Sequence, residues 1–387
     1  MKEIAILTGT RAEYGLLKET MNQIDAAGHL HLKIVVTGMH LVPRFGNTVA
    51  EITSDGFDID ERVHMLLEGD SGISTAKSIG TGITGISQAL DSLEPEALLV
   101  LGDRIEALAG GVSAATMNIP VVHIAGGSVR GGGMIDESIR HALTRFAHIH
   151  LVQSESDKRV LEQVGEDPKR IHLVGAPALD QISAGEFSDG DEVINRLDLD
   201  PSEKLILVIQ HPITTKPELA GEQIESTIRA VEQSGEQAVI IHPNSDPGRD
   251  RMVSHIKQVC ERNEKIVETE NLPREDYLGL LHVADLLVGN SSSGIIEAPC
   301  FELPTIDVGT RQGNRERAVT ISRVSHKQDE IKKEIQRRLA EDHPKRTVDC
   351  KKSPYYHGGV AERIVDILVT TTFDRDLLDK SLKLQSI

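Results

Sequence analysis

Hydrophobic positions in this chain fall in short unbroken runs, and the runs are separated by segments of helical length. Apolar stretches at 3–8, 32–37, 97–101, 120–124, 149–153 and 171–174 predict strands in the first half. A second series lies at 205–209, 238–242, 266–269, 286–288 and 305–308. Unbroken apolar runs are what parallel strands covered on both faces require. Between them, 14–27, 82–92 and 105–117 carry helical spacing. This alternation predicts an α/β fold of doubly wound parallel sheets. A break at Gly175-Ala176-Pro177 divides the two series into two Rossmann-like domains, 1–177 and 178–360. The acidic, polar stretch 183–201 reads as a bridge between them. The helical stretch 361–370 is expected to pack back on the first domain, and the tail 371–387 has the amphipathic pattern of a further helix.

The runs end, repeatedly, in small or ionisable residues. Leu7 leads into Thr8-Gly9-Thr10-Arg11, Leu101 into Gly102-Asp103-Arg104, Ile209 into Gln210-His211-Pro212, and Val288 into Gly289-Asn290-Ser291-Ser292-Ser293-Gly294. In open parallel sheets ligands bind beyond the carboxyl ends of the strands. Polar chemistry at these ends in both halves therefore predicts a cleft lined by two similar domains.

Charge and composition narrow the ligand. With 60 acidic against 42 basic side chains the net charge is -18, which argues against a nucleic-acid surface and against an anionic membrane. A small anion remains compatible where a few cations are focused. Aromatic residues make up 3% of the chain and Trp is missing, so a base- or sugar-stacking platform is not expected. Cys260, Cys300 and Cys350 are widely separated and lack metal-ligand spacing, which fits a reduced cytoplasm. No stretch reaches the length of a membrane span, and the first strand begins without a signal-peptide core.

The candidate chemistry has plain structural alternatives at each position. Thr8 to Gly15 joins the first strand to the first helix, where free N–H groups favour phosphate and Arg11 adds a forked contact. An ordinary β–α turn fits the same residues, and the pattern is not a dinucleotide fingerprint. Ser291, Ser292 and Ser293 follow a buried strand, so one serves as a helix cap and the run fits a phosphate cradle. Glu297, one turn on, suits either sugar hydroxyls or the helix dipole. Arg311 is a second phosphate clamp or a solvated loop cation, with Arg315, Arg317 and Arg323 nearby. His211 and His242-Pro243-Asn244 end strands of the second domain without metal spacing. The densest stretch is 102–141, with Asp103, Arg104, His123, the glycine loop Gly131-Gly132-Gly133, Asp136 and Arg140. Asp136 and Arg140 share a helix face, either as a surface ion pair or beside Asp103 and His123 around a reacting carbon. Carboxylates in a partly dry site exchange protons near neutral pH.

At these residues the chain resembles the UDP-N-acetylglucosamine 2-epimerase family, particularly its hydrolysing branch. The motifs are TGTRAEYG (8–15), TGMHL (37–41), GDRIEALA (102–109), HIAGG (123–127), IDESIRHALTRFAHIH (135–150), HP (211–212), GNSSSGIIEAP (289–299) and PTIDVGTRQ (304–312). The resemblance implies a glycosyltransferase-B-like pair of domains, with the nucleotide on the second and the sugar reaching into the first. It implies nucleotide or phosphate contacts at Arg11, His211, Asn244, Ser291, Ser292, Glu297 and Arg311, and catalytic roles at Asp103, His123, Asp136 and Arg140. Arg104, beside Asp103, is counted with the substrate-binding set. Where the family commonly carries a carboxylate around 125–128, this chain has Ala125 and Ser128. Glu106 and Glu137 are candidates to supply it.

The implied partner is a UDP-linked N-acetylamino sugar. The implied reaction removes the proton at C2, expels UDP, and adds water to the resulting 2-acetamidoglucal with inversion. No metal or redox cofactor is expected, and a cytoplasmic homodimer is. Relatives of the same class act on UDP-diacetamido sugars or epimerise without hydrolysis. A nucleotide-sugar glycosyltransferase and a non-catalytic sensor are the alternatives from other classes.

Overall fold

A computed structural model describes residues 1–68, 72–129, 135–244, 246–270, 272–341 and 347–383. The chain forms two units. The first contains Met1–Val129, Asp136–Asp180 and the segment from His357 onward; the second contains Gln181–Tyr356.

The first unit carries β1 (Lys2–Thr8), β2 (Leu30–Thr37), β3 (Glu61–Val63), β4 (Ala97–Leu101), β5 (Val121–Ile124), β6 (Ile149–Val152) and β7 (Ile171–Leu173). Its helices are α1 (Arg11–Ala26), α2 (Val49–Ser54), α3 (Gly72–Leu93), α4 (Ile105–Thr116), α5 (Ile135–Phe146) and α6 (Glu155–Gln163), and the chain leaves the unit within α7 (Ala178–Ala184). The sheet order is β3-β2-β1-β4-β5-β6-β7, every pair parallel. Strand order reverses between β1 and β4, which is where an open sheet leaves room for ligand. Alternation along β1 explains the two layers. Ile4 and Ile6 join Leu17, Met21 and Ile24 of α1, while Ala5 and Leu7 join Ile86, Leu90 and Ala109 on the other face.

The second unit repeats the plan with α8 (Gly190–Arg196), β8 (Leu205–Ile209), α9 (Ala220–Glu232), β9 (Gln237–Ile241), α10 (Arg249–Cys260), β10 (Ile266–Thr269), α11 (Arg274–Val283), β11 (Leu286–Gly289), α12 (Ser293–Ile296), β12 (Thr305–Val308), β13 (Ile321–Val324) and α13 (Gln328–Leu339). Its order, β10-β9-β8-β11-β12-β13, is that of a nucleotide-binding Rossmann sheet, reversing between β8 and β11. Ile206, Val208, Ile240 and Val288 pack with Ile224, Ile228, Met252 and Ile256.

The stretch 183–201 is not a free bridge. Val193 and Ile194 of α8 are buried, Ser188 donates from its hydroxyl to Asp276 at 2.6 Å, and Arg196 pairs with the same carboxylate at 2.6 Å. Its charges lie outside two buried apolar positions, so the segment folds as a helix of the second unit.

α14 (Val360–Thr370) belongs to the first unit, where Val360, Ile364 and Leu368 enter the core beside α1. Its start is capped by Asp180, whose carboxylate accepts from the Val360 and Ala361 amides at 2.8 Å each. Among the described residues of the tail the helix is the single turn α15 (Arg375–Leu378), and 379–383 carry none. Arg170 holds that turn, donating to the carbonyls of Leu377 at 2.6 Å and Asp379 at 2.8 Å. Among the described residues no helix is long and apolar enough to cross a membrane.

Candidate active site

In the first unit the strand ends gather ionisable groups out of water. Asp103 follows β4 and is ion-paired with Arg140 of α5, whose side chain is fully buried. Arg140 also donates Nη1 to the Ser128 carbonyl at 2.8 Å. Burial pushes the guanidinium down to about 10, against the pull of the Asp157 charge, so it is still a cation at neutral pH. The residue four places after Asp136 is therefore a buried partner of Asp103 and not a surface cation. Asp136 itself is half-buried in the first turn of α5. The glycines 131–133 lie outside the described residues.

His123, next to last in β5, is completely buried. Its Nε2–H donates to the Gly102 carbonyl at 2.7 Å, which fixes the ring against the turn that carries Asp103. Burial, above all, pushes its pKa down to about 3. The imidazole is neutral, with Nδ1 turned toward the backbone of Gly126. Ala125, where a carboxylate is usual, holds a left-handed φ of 67°.

Two further acids stand beside this set. Thr10 caps α1 by accepting from the Glu13 amide at 3.2 Å, and Glu13 in return accepts from the Gly9 amide at 2.6 Å. Burial pushes Glu13 up to about 8, helped by the nearby Glu106 charge and resisted by the Gly9 hydrogen bond and Arg104. Glu106 is buried against Gly9, where a Cβ would come within 2.6 Å of its Cγ. Arg104 sits with Nε 3.5 Å from the Glu106 carboxylate. Arg11 opens α1 and is paired with Glu51 of α2 at 2.9 Å.

The second unit brings its candidates together around Asn290. The Asn290 side chain accepts from the His211 amide at 2.7 Å and donates to the His211 carbonyl at 2.9 Å, which locks the ends of β8 and β11 side by side. The Asn290 carbonyl accepts from Arg311 at 3.2 Å and from Gln312 at 3.0 Å. His211 Nδ1 accepts from the Asn244 amide at 3.2 Å. Burial and the Arg311 charge push His211 down to about 3, so this imidazole is neutral too. The close crossing of strands needs Gly289, at a φ of 147°, because a Cβ there would strike the Ile209 carbonyl.

The helix opened by the serines is a single turn, so its dipole is small. Ser291 Oγ accepts from the Ser293 amide at 3.3 Å, Ser292 precedes the turn, and Ser293 hydrogen-bonds Tyr277. Glu297 is buried just past α12 and paired with Arg274 at 2.5 Å. His211, Asn244, Ser291 and Arg311 thus converge on the β8–β11 switch point, while Glu297 is turned to α11. Sequence reasoning did not single out Asn290, Tyr277, Arg274 or Glu13. Asn290 had a signal, since it stands inside the serine motif; Arg274 and Tyr277 come from a helix without any motif.

The comparisons with known proteins agree on one family. Residues 22–369 match the family model described as UDP-N-acetylglucosamine 2-epimerase. The chain is 35% identical to a UDP-N,N'-diacetylbacillosamine 2-epimerase (hydrolyzing) from Legionella pneumophila, covering 98% of this chain and 99% of that one. It is 36% identical to a UDP-N-acetylglucosamine 2-epimerase from Neisseria meningitidis, over 81% of each. Among solved structures, the Methanocaldococcus jannaschii UDP-GlcNAc 2-epimerase in complex with UDP-GlcNAc and UDP aligns with a TM-score of 0.78 at 18% identity, covering 96% of this chain and 100% of that one. An S. aureus MnaA–UDP structure aligns with a TM-score of 0.78 at 17% identity, covering 95% and 96%. These two likenesses concern the fold. By the span of the model match and the end-to-end identity with its relatives, the chain belongs to the UDP-N-acetylglucosamine 2-epimerase family.

Proposed function

We propose that this protein is a hydrolysing 2-epimerase that converts UDP-N-acetylglucosamine and water to N-acetylmannosamine and UDP. The observation that carries the hydrolysing 2-epimerase reaction is the end-to-end identity with a hydrolysing epimerase, 35% over 98% of the chain; the UDP-N-acetylglucosamine substrate follows the family description and the Neisseria relative's name. The site chemistry supports it. In the second unit the Arg311 guanidinium and the serine hydroxyls, gathered at the β8–β11 switch point, are residue types suited to a diphosphate. In the first unit Asp103 and Asp136 supply carboxylates for proton transfer on the two faces of a sugar carbon.

The reaction runs in two stages. A carboxylate takes the C2 proton, the C2–H electron pair forms the C1=C2 bond, and the C1–O bond breaks with its electrons leaving on UDP. Water then adds its hydroxyl to C1, and a proton returns to C2 from the opposite face. Arg140, buried and ion-paired with Asp103, holds that carboxylate in place. His123, neutral and tied to Gly102, keeps the Asp103 turn in place. Arg11 and Arg104 add positive charge at the edge of the same unit, and Asn244 stands beside His211 at the switch point of the second.

A second reading has its own support. The Legionella relative acts on UDP-N,N'-diacetylbacillosamine by name, and it matches over a larger share of the chain than the Neisseria relative does. Proton NMR in deuterated water, with both sugars as substrates, tests the function and chooses between them. UDP release together with a free manno sugar deuterated at C2 is the expected result. Retention of the UDP link points to epimerisation without hydrolysis, and UDP binding with no turnover of either sugar overturns the proposal.

A further inference from the structure

A buried ionic hub in the first unit joins two residues from the end of the 135–150 motif, Arg145 and His150, to Glu166 and Lys380, which lie outside every motif assigned above. Glu166 is buried, yet it collects three partners. Arg145 of α5 donates to it at 2.6 Å, His150 of β6 at 3.0 Å, and Lys380 of the C-terminal tail reaches it at 2.8 Å. The same Lys380 ammonium donates to the carbonyls of Thr144 at 2.8 Å, Arg145 at 3.3 Å and Ala147 at 2.7 Å. Those are the last carbonyls of α5 and its exit, groups that no intrahelical N–H satisfies. A cation at a helix C-terminus also complements the dipole. One end of α5 presents Asp136 and Arg140, and the other end is pinned by a residue from the far end of the chain.

We propose that Lys380 is a positioning residue for the proton-transfer side chains: by tying Glu166 to the carboxyl end of α5 it fixes the helix on which Asp136 and Arg140 stand. The inference rests on the reading of Asp103 and Asp136 as proton-transfer groups. It has an electrostatic side as well. His150 is the cross-strand neighbour of His123 in the β5–β6 register. The ionisable groups around its ring are Glu166, Lys380, Arg145, His123 and His148. Burial pushes its pKa down, the Glu166 hydrogen bond opposes this, and the Lys380 and Arg145 charges reinforce it. With Lys380 removed, Glu166 has one cation fewer and holds a proton on His150 more strongly. A charged His150 then lies next to His123, which positions the Asp103 turn.

The test compares wild type, Lys380→Ala and Lys380→Arg in UDP release, pH profile and the ring-nitrogen NMR titration of His150. Lys380→Ala is expected to lower kcat about 10-fold with KM little changed, because helix placement acts on the reacting groups. Its acid limb should move up by about one pH unit, in step with the His150 titration. Lys380→Arg should keep the acid limb, and propylamine should restore Lys380→Ala saturably. A kcat and acid limb unmoved in Lys380→Ala, with only thermal stability lost, overturns the proposal. If Lys380→Ala does not fold, Lys380→Gln takes its place in the same three measurements, with the same outcomes supporting or overturning the proposal. Lack of UDP release by the wild type would refute the proposed function and leave the His150 titration to judge Lys380.

Discussion

The two units share one sheet plan and furnish its carboxyl edge in opposite ways. In the first, the groups at the edge are ionisable and dry: Asp103, Arg140, Glu13, Glu106 and His123 are all less than a tenth exposed. In the second, the organising group is a neutral amide, Asn290, which satisfies itself against His211 and lends its carbonyl to Arg311 and Gln312. Burying an ionisable group changes how tightly it holds a proton. Burying an amide fixes geometry and leaves no proton to move. A shared topology therefore carries different chemistry at its two edges, and only the side chains tell them apart.

That contrast is broken most directly by Asp103→Asn. If the first unit handles protons, UDP release should fall by about 10³-fold, in the range of a lost acid–base group, while UDP affinity measured by calorimetry stays within a factor of two. Near-normal turnover would remove Asp103 from the chemistry. Arg140→Met is the next test. It strands a buried carboxylate, and breaking such a pair costs about 3–5 kcal/mol, measurable as a lower urea midpoint. A loss below about 1 kcal/mol would mean that Asp103 is not held by this guanidinium.

The contrast also marks what could be read from sequence. Eleven strands announce themselves as apolar runs, nine of them inside the sheets with a neighbour on each side. The two without such a signal, β3 and β13, are edge strands with one neighbour each, and Arg62 and Arg323 interrupt them. α3 begins ten residues before its visible periodicity, since 72–81 is rich in Gly, Ser and Thr and mostly exposed. α8 was hidden by its acidic surroundings. At the sites, motif positions were legible wherever a strand ends. Partnership was not: the 136/140 spacing draws attention to a helix face, whereas Arg140 joins Asp103 from a different strand. Glu13 was equally hidden, because its altered acidity comes from burial in the fold and from the charge of Glu106, far away in sequence.

Glu13 offers a pH test of the dry unit. Its folded pKa is raised from 4.5 to about 8, so the fold favours the protonated acid. Stability from this group is complete below the ordinary carboxylate range, declines as pH rises, and is lost above about 8. Glu13→Gln keeps an acceptor for the Gly9 amide without the charge. The variant should match wild type at low pH and exceed it by roughly 2–4 kcal/mol at pH 8. Denaturant curves between the two limits check this, and a pH-independent difference would show that the carboxyl is not proton-bearing in the fold.

The smallest effect is expected where the contrast predicts distributed, neutral contacts. Ser291 Oγ accepts a single amide hydrogen bond, from Ser293, at 3.3 Å, a length at which a neutral bond is weak. Its loss in Ser291→Ala should cost on the order of 1 kcal/mol, a UDP affinity about five-fold lower. The Asn290–His211 lock does not involve Ser291 and should persist, so kcat at saturating substrate should not change. A fall of 100-fold or more in UDP affinity would mean that the second unit, like the first, concentrates its function in one group, and the division of labour between neutral and ionisable edges would fail.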